Sequence, residues 1–311
     1  MKRILITGGT GFIGSHLANY LILNKDYDVT ICDNNYRGKI DDFVSKIKYI
    51  NCDLTKKEEY HKLGDYDLVY HLAAINGTKN FYKIPYDVLK VNTLININLI
   101  EWCKEKNIQK ILYTSSSEVY ASTPSKIIPT TENVLVSIED VHNPRWSYAG
   151  SKILGELMIV NSGLNFSIVR PHNIYGPRMG YDHVIPEVIS RILKKENPFK
   201  VYGPDQTRSF CFISDAVKMM EKIMNSDLSN SKIINLGVND EIKIMDLINK
   251  LFQYFDYHPK LEIVNSQDGS VTRRCPDVKL LKEIVGEIDN TSLSDGLRKT
   301  CEWYAGNLNI Q

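Results

Sequence analysis

The sequence lacks several features that would point to particular classes of protein. Its 38 basic and 37 acidic side chains nearly cancel, so it has no charge surplus of the kind that favours nucleic-acid binding. The six cysteines are scattered, without a C-x-x-C pair or a histidine cluster, which argues against a zinc site or a disulfide framework. No apolar run approaches the ~18 residues that a membrane span needs, and no repeat or low-complexity tract occurs.

These absences leave a globular protein of 311 residues, 43% hydrophobic and 24% charged. That length suffices for one large domain or for a main domain with a smaller lobe. A strand-like run begins within the first few residues and leaves no room for a secretory signal. We therefore expect a reduced, soluble, cytoplasmic protein without a bound metal.

The N-terminal sequence MKRILITGGTGFIG is typical of a turn that binds a dinucleotide. An apolar strand-like run comes first, the glycines follow it, and a helix-like pattern follows the glycines, which is the order such a turn requires. Gly8 would permit the tight turn, Gly11 would let the backbone approach a pyrophosphate, and Gly14 would let the helix pack closely on the strand. The pyrophosphate would then lie against free N–H groups at the helix N-terminus.

Asp33 ends the second predicted strand, 19 positions after Gly14. This spacing matches the acid that hydrogen-bonds the adenosine ribose of NAD. A carboxylate there would repel the 2′-phosphate of NADP, although Arg37 would partly offset that repulsion. The alternative is that Asp33 only caps a turn, and its spacing from the glycines favours the cofactor role.

Strand-like and helix-like segments alternate over the first 170 residues, which predicts a parallel sheet covered by helices on both faces. We expect an α/β fold with a doubly wound Rossmann domain over residues 1–170 and a return segment near 208–236. Residues 171–311 are turn-rich at first and are predicted to form mainly a smaller, substrate-binding lobe at the carboxyl edge of the sheet. The predicted strands are 4–7, 29–33, 48–51, 68–72, 111–115 and 166–170, and the predicted helices are 15–24, 86–106, 151–161, 184–195, 214–224, 244–255 and 294–304.

Tyr148 and Lys152 are the pair on which we expect the chemistry to depend. Residues four apart on a helix lie on the same face. A phenol titrates near about pH 10, and a nearby ammonium, with the positive charge of oxidised nicotinamide, would lower that pKa. Tyr148 could then take a proton from a sugar hydroxyl while hydride leaves its carbon.

A run of serines ends the fifth predicted strand, at the sheet edge where a nicotinamide would lie. Within Thr114–Tyr120, one serine hydroxyl could hydrogen-bond the reacting oxygen beside Tyr148. The alternative is a polar strand end whose side chains bond only to the local backbone.

Ten short motifs, spread along nearly the whole chain, resemble those of a single protein family. They are TGGTGFIGSHL (7–17), CDL (52–54), HLAA (71–74), VNT (91–93), SSSEVY (115–120), YAGSK (148–152), RPHNIYGPR (170–178), TRSFCFISD (207–215), RCPD (274–277) and GLRKTCEWY (296–304). Together they resemble the extended short-chain dehydrogenase/reductase family, in its nucleotide-sugar epimerase, dehydratase and decarboxylase branch. The resemblance implies NAD as the cofactor and a nucleotide-diphosphate sugar as the substrate.

The resemblance also implies individual roles. Ser116 matches the family's catalytic serine or threonine, Tyr148 its base and Lys152 the partner of that base. Arg274 matches an arginine that contacts phosphate in many members and is implicated in catalysis in decarboxylases of uronic-acid nucleotides. Further cofactor contacts are expected from Phe12, Ile13, Asn34, Asp53, Leu54, Leu72, Ala73, Ala74 and Asn92, and substrate contacts from Ser117, Asn173, Val184, Tyr202 and Arg208.

The pair Ser117-Glu118 bears on the type of reaction. In every branch hydride leaves sugar C4 and Tyr148 takes the hydroxyl proton, which produces a 4-keto sugar. The dTDP-glucose-type 4,6-dehydratases carry Asp-Glu at these two positions, so the acid for the leaving hydroxyl is absent here. GDP-mannose-type dehydratases and the decarboxylases resemble the Ser-Glu arrangement. Glu118 is thus a candidate C5 base or a residue that positions a substrate carboxylate, and the alternative is a glutamate in solvent or in a structural hydrogen bond.

Three functions follow from these patterns. A nucleotide-sugar 4-epimerase is the first hypothesis, because Ser116, Tyr148 and Lys152 suffice for it. A uronic-acid decarboxylase or 4,6-dehydratase that uses Glu118 is the second. A non-catalytic NAD-binding regulator is the third, and the presence of both tyrosine and lysine argues against it. The turn-rich segment 125–146 is expected to border the substrate.

The predicted helices 86–106 and 151–161 carry more apolar residues than one buried face needs. The equivalent helices of the family that the chain resembles commonly form a four-helix dimer interface. We therefore expect a homodimer, and the alternative is that both apolar stripes pack within one chain.

Overall fold

A parallel sheet forms the centre of the molecule, in a computed structural model that describes residues 1–264 and 272–307. The strands, in chain order, are β1 (Lys2–Thr7), β2 (Tyr27–Asp33), β3 (Lys48–Asn51), β4 (Leu68–His71), β5 (Lys110–Thr114), β6 (Phe166–Pro171), β7 (Ile174–Tyr175), β8 (Phe199–Tyr202), β9 (Thr207–Ser209), β10 (Cys211–Phe212), β11 (Lys232–Leu236), β12 (Glu241–Lys243), β13 (Leu261–Val264) and β14 (Arg273–Arg274). The helices are α1 (Phe12–Leu21), α2 (Thr78–Lys83), α3 (Pro85–Glu105), α4 (Trp146–Val160), α5 (Val184–Leu193), α6 (Ile213–Asn225), α7 (Ile244–Phe255), α8 (Lys279–Val285) and α9 (Leu293–Gly306).

The order of the strands creates a ligand crevice. The central sheet runs β11-β6-β5-β4-β1-β2-β3, and every neighbouring pair is parallel. From β1 the chain adds strands on one side, and from β4 onward it adds them on the other. The loops after β1 and β4 therefore diverge at the carboxyl ends of the strands, where α/β proteins bind ligands. The predicted doubly wound Rossmann fold is confirmed, whereas the domain division at residue 170 stays a prediction.

Helices cover both faces of the sheet, because successive side chains of a strand point to opposite sides. Ile4 and Ile6 of β1 lie in one apolar core with side chains of α1 and α6. Leu5, between them, lies in the other core with side chains of α3 and α4. A parallel sheet that is buried on both faces needs such continuous apolar strands.

Three smaller sheets lie outside the central one, in the orders β12-β9-β14, β10-β7 and β13-β8. In the first of them β14 pairs with β9 in parallel, with Arg274 opposite Arg208. Two arginines that are far apart in the sequence are thereby placed side by side.

Most predicted elements begin and end within two residues of the observed ones. Two helices differ by more. The helix predicted over 15–24 begins at Phe12, because Gly11 already stands at its N-terminus. The helix predicted over 151–161 begins at Trp146, since the Trp146 and Ser147 amides are bonded to the carbonyl groups of Asn143 and Pro144. Tyr148 and Lys152 consequently lie on one helix.

Within the two described ranges, no helix is long and apolar enough to cross a membrane. The same residues contain no group of three or more histidine, cysteine or acidic side chains that could hold a metal ion. Each of the six cysteines is a buried free thiol.

A buried ion pair joins α4 to the central sheet. The Arg170 guanidinium donates through Nε to Glu156 Oε1 at 2.8 Å and through Nη2 to Glu156 Oε2 at 2.5 Å. Ser115, which follows β5, donates to the same carboxylate at 2.5 Å. The two charged side chains are only 3% and 7% exposed, so the pair is a bidentate contact that water hardly screens.

Glu156→Ala should destabilise the protein strongly, because it leaves the Arg170 charge buried without its partner. We expect the free energy of unfolding in urea to fall by about 3–5 kcal/mol. Arg298→Ala is the matched control, since Arg298 pairs with Glu302 at the surface, where both side chains are half exposed. That change should cost less than about 1 kcal/mol, and equal losses in the two variants would contradict the prediction.

Candidate active site

A cleft of about 1120 Å³ lies along the carboxyl edge of the central sheet. Its wall brings together most of the site residues predicted from the sequence, although these residues are spread over many separate segments. They are Gly8, Gly11, Phe12, Ile13, Gly14, Asp33, Asn34, Asp53, Leu54, Leu72, Ala73, Ala74, Ser116, Ser117, Glu118, Tyr148, Lys152, Asn173 and Arg274.

Four predicted contacts lie off this wall: Asn92, Val184, Tyr202 and Arg208. The buried amide of Asn92 donates to Ser151 Oγ at 3.0 Å and accepts from the backbone N–H of Ile75 at 2.7 Å. It links α3 to α4 and to the loop after β4. The ligand contacts expected of these four residues stay predictions.

The turn between β1 and α1 fits a dinucleotide. Gly8 has φ +69°, and a Cβ there would lie 2.8 Å from the backbone nitrogen of Ala73. A Cβ on Gly14 would overlap the carbonyl oxygen of Gly8, so only glycine lets the helix approach the strand this closely. α1 has neither a side-chain cap nor an acidic residue in its first turn, which leaves its first N–H groups to an anion.

Polar groups along the same wall also fit NAD. Asp33 accepts one backbone hydrogen bond on each oxygen, from Thr10 at 3.1 Å and from Asn35 at 2.8 Å, which leaves lone pairs for ribose hydroxyls. Arg37 donates to the carbonyl oxygen of Asn76 at 2.9 Å, and its effect on the Asp33 charge stays a prediction. Among the residues that the structure describes, the buried Thr114 hydroxyl has no hydrogen-bond partner, and it too lines the cleft.

Tyr148 and Lys152 are held firmly on α4. The Tyr148 ring stacks on Phe81, with centroids 4.7 Å apart and planes 9° from parallel, and its phenol interacts with the Ser116 side chain. Lys152 Nζ donates to the carbonyl oxygen of Thr114 at 2.8 Å and lies 5.8 Å from the centre of the Tyr148 ring.

Burial dominates the electrostatics of this pair. Burial raises the pKa of Tyr148. The Ser116 side chain counteracts this rise, and the charge of Glu118 reinforces it. Burial also lowers the pKa of Lys152, to about 8. The protein's own groups therefore do not produce the lowered Tyr148 pKa that the sequence led us to expect.

Glu118 lies between two arginines. Arg274 Nη1 donates to its Oε1 at 2.5 Å, and Arg145 Nη2 donates to its Oε2 at 3.4 Å. Burial raises the pKa of Glu118, but the two guanidinium groups outweigh burial and bring the pKa down to about 2. Glu118 is thus an ionised member of a charged cluster and not a glutamate free in solvent. The other alternative, a structural hydrogen bond, fits these contacts, and the catalytic role of Glu118 stays a prediction.

Arg208 adds a further positive charge to this cluster. Burial, together with the charge of Arg274, lowers the pKa of Arg208 to about 10, so it remains a cation at neutral pH. Arg145 and Arg274 therefore contact Glu118 directly, and the charges of Glu118 and Arg208 act on each other without a direct contact between them. We call these four residues the Glu118 cluster.

Sequence reasoning missed Arg145 and Phe81. Arg145 could have been found, because it stands three residues before Tyr148 and residues three apart share a helix face. Phe81 carried no comparable signal, since it belongs to the short helix α2, which the apolar pattern did not reveal.

The chain also matches known proteins. Residues 4–237 match the sequence model of the NAD dependent epimerase/dehydratase family. The chain belongs to this family. It is accordingly an NAD-dependent enzyme of the nucleotide-sugar epimerase, dehydratase and decarboxylase group, and the resemblance drawn from the motifs is confirmed.

Individual known proteins match almost the whole of this chain. The UDP-N-acetyl-alpha-D-glucosaminuronate decarboxylase of Bacillus cytotoxicus is 34% identical over 97% of this chain and 98% of its own length. UDP-glucuronic acid decarboxylase 1 of Xenopus tropicalis is 30% identical over 100% of this chain and 74% of its own. The solved UDP-N-acetylglucosamine 4-epimerase of Methanobrevibacter ruminantium is 28% identical, covers 98% of each chain and superposes with a TM-score of 0.87.

Asp33→Asn should weaken NAD binding, because the neutral amide forms weaker hydrogen bonds with the ribose than a carboxylate does. We expect a 10- to 100-fold higher Kd, which corresponds to the about 1.5–3 kcal/mol of a hydrogen bond to a charged group. Titration calorimetry on protein stripped of nucleotide measures it. Asp28→Asn, at the other end of β2, is the control, and equal affinities of the two variants would contradict the role of Asp33.

Proposed function

We propose that this enzyme decarboxylates a UDP-linked uronic acid. The Glu118 cluster beside Tyr148 is the observation that carries the proposal. Arg274 lies on the wall of the cleft and donates to Glu118 through Nη1, so a cation stands beside the substrate space. A substrate carboxylate can form charge-assisted hydrogen bonds with that guanidinium, whereas a neutral sugar forms weaker ones.

The names of the relatives support both parts of the proposed substrate. The decarboxylases of Bacillus cytotoxicus and Xenopus tropicalis are each named for a uronic acid carried by UDP. Arg274 can bind a carboxylate through two parallel hydrogen bonds. Arg208, directly opposite it on β9, supplies charge for the diphosphate.

The first step is oxidation at sugar C4. NAD, held by the glycine turn and Asp33, would supply the acceptor of the C4 hydride and its donor in the last step, and its positive ring would favour the phenolate of Tyr148. Tyr148 takes the C4 hydroxyl proton, and Ser116 hydrogen-bonds the same oxygen. Phe81 fixes the plane of the Tyr148 ring, so that its oxygen keeps one direction relative to Ser116.

The second step follows from the position of the new ketone. A keto group at C4 lies β to the C6 carboxylate, so the C5–C6 bond can break while its electron pair moves through C5 to the C4 oxygen. Ser116 and the protonated Tyr148 stabilise that enolate oxygen by hydrogen bonds. C5 then takes a proton from water, hydride returns to C4, and Tyr148 returns its proton to the C4 oxygen.

A 4-epimerase is the second candidate. Ser116, Tyr148 and Lys152 suffice for oxidation and reduction at C4, and the similar Methanobrevibacter structure is named as a 4-epimerase. This reaction is the first hypothesis from the sequence alone. In our proposal the charged groups of the Glu118 cluster place decarboxylation ahead of it. A 4,6-dehydratase ranks lower, because a carboxylate with a pKa of about 2 is a weak base for C5.

Incubation with NAD and a panel of UDP-glucuronic acid, UDP-N-acetylglucosaminuronic acid, UDP-glucose and UDP-N-acetylglucosamine tests the proposal. A uronic acid should lose about 44 mass units, the mass of CO₂, as read by mass spectrometry. Tyr148→Phe should lower this turnover by about 10²–10⁴-fold. An unchanged mass with inverted C4 in the NMR spectrum would favour the epimerase, and full activity of Tyr148→Phe would remove Tyr148 from the mechanism.

We also propose that the enzyme is a homodimer that pairs α3 and α4 with the same helices of a second copy. Leu89 and Ile97 on α3, and Leu154, Leu157 and Val160 on α4, are each at least a third exposed. They recur at intervals of three to eight residues, so each helix presents an apolar stripe. Contiguous apolar surface of this kind marks an interface.

Leu157→Glu should convert the dimer to a monomer, because a charge would then be buried at the contact between α4 and its partner. Light scattering after gel filtration at micromolar concentration measures the mass. Leu228→Glu is the control, since Leu228 is exposed in the turn after α6. A monomeric wild type, or dissociation of both variants, would contradict the proposed dimer interface.

A further inference from the structure

We propose that Arg37, together with the N-terminus of α1, binds the diphosphate of NAD. The inference concerns the cofactor, so it holds whichever sugar the enzyme converts. It assigns a ligand to the one arginine of the cleft wall that has no acidic partner among the described residues.

Three arginines of the described residues line the cleft, and two of them are paired with an acid. Arg178 binds Asp41 at 2.7 Å. Arg274 binds Glu118 at 2.5 Å. In the described part of the chain Arg37 forms no ion pair, and of its side-chain nitrogens Nη1 alone is hydrogen-bonded. Since Arg37 is exposed, its charge and its remaining N–H donors are accessible to an anion in the cleft.

The hydrogen bond of Arg37 crosses the crevice at the carboxyl edge of the sheet. Its Nη1 donates to the carbonyl oxygen of Asn76 at 2.9 Å. Arg37 lies in the loop after β2 and Asn76 in the loop after β4, and these two strands flank β1 on either side. Neighbouring strands are about 4.8 Å apart, so the side chain spans roughly two strand spacings across the end of β1. The turn that fits the diphosphate begins at that end.

Close packing defines the surroundings of this bridge. A Cβ on Gly38 would overlap the side chain of Thr10 in the glycine turn, so the backbone next to Arg37 lies directly against that turn. A Cβ on Gly180 would lie 2.8 Å from Arg37 Nη2, so glycine at this position in the loop after β7 leaves room for the guanidinium. Gly180 and Asn76 line the same cleft. The guanidinium therefore lies where loops from three strands meet.

The N-terminus of α1 does not by itself balance a diphosphate. It offers about half an elementary charge, whereas a diphosphate linkage carries one negative charge on each phosphate. A guanidinium supplies a full positive charge and can donate two parallel hydrogen bonds to phosphate oxygens.

The charge of Arg37 also acts across the cleft. Burial raises the pKa of the Tyr148 phenol, and the charge of Arg37 counteracts part of that rise. Arg37 therefore contributes to the electrostatics inside the cleft and not only to those of the outer surface.

Titration calorimetry on protein stripped of nucleotide tests the proposal with NAD, ADP-ribose and adenosine. ADP-ribose keeps the diphosphate, and adenosine lacks it. Arg37→Met should raise the Kd of NAD and of ADP-ribose by about 10- to 100-fold, the loss expected for hydrogen bonds to a charged group, and should leave the Kd of adenosine within about twofold of wild type.

Two further variants control for charge. Arg37→Lys, which keeps the cation without the planar fork, should lie between Arg37→Met and wild type. Lys46→Met removes an exposed cation of the same loop that does not line the cleft, and it should bind all three ligands as wild type does.

Three results would overturn the inference. An unchanged Kd of ADP-ribose in Arg37→Met would do so directly. An equal loss with adenosine and ADP-ribose would mean that Arg37 supports the nucleoside site instead. A larger loss with NADP than with NAD would assign Arg37 to the 2′-phosphate beside Asp33. None of these measurements uses a sugar substrate, so they stand apart from the test of decarboxylation.

Discussion

The buried contact between Glu156 and Arg170 is the interaction on which the site depends. It ties α4 to β6, and through Ser115 it also ties α4 to the end of β5. Tyr148 and Lys152 lie on α4 and the serine loop follows β5, so the distance between base and serine is set by this carboxylate. Arg170 further donates to the Tyr120 hydroxyl at 2.7 Å, which braces the turn that carries Glu118.

The Glu156–Arg170 contact and the Glu118 cluster differ in their relation to the cleft. The Glu156–Arg170 contact is balanced, with one charge of each sign and its hydrogen bonds made within the protein, and it serves only to hold elements together. The Glu118 cluster places Glu118 and Arg274 on the wall of the cleft. A guanidinium at the edge of a cleft can form charge-assisted hydrogen bonds with an anion that binds there.

Predictions from the sequence succeeded where a short-range rule sufficed. The glycine turn, Asp33 and the Tyr148–Lys152 pair follow from spacings along a single strand or helix, and the structure places all of them on one cleft. The contact between Glu118 and Arg274 joins residues 156 positions apart, and periodicity contains no information about such a pair. The strands β9 and β14, of three and two residues, are likewise too short to leave a pattern in the sequence.

The candidate reactions all pass through the same 4-keto sugar. The groups next to that ketone therefore determine which reaction follows. In the mechanism that we propose, oxidation at C4 needs Ser116, Tyr148 and Lys152 whichever sugar is bound, so these residues cannot distinguish an epimerase from a decarboxylase. Once C4 is a ketone, a carboxylate at C6 is lost readily, because its electrons have an acceptor two carbons away. The groups that accept or exclude a carboxylate next to C5 therefore determine the reaction, and in our proposal those groups are Glu118 and the arginines around it.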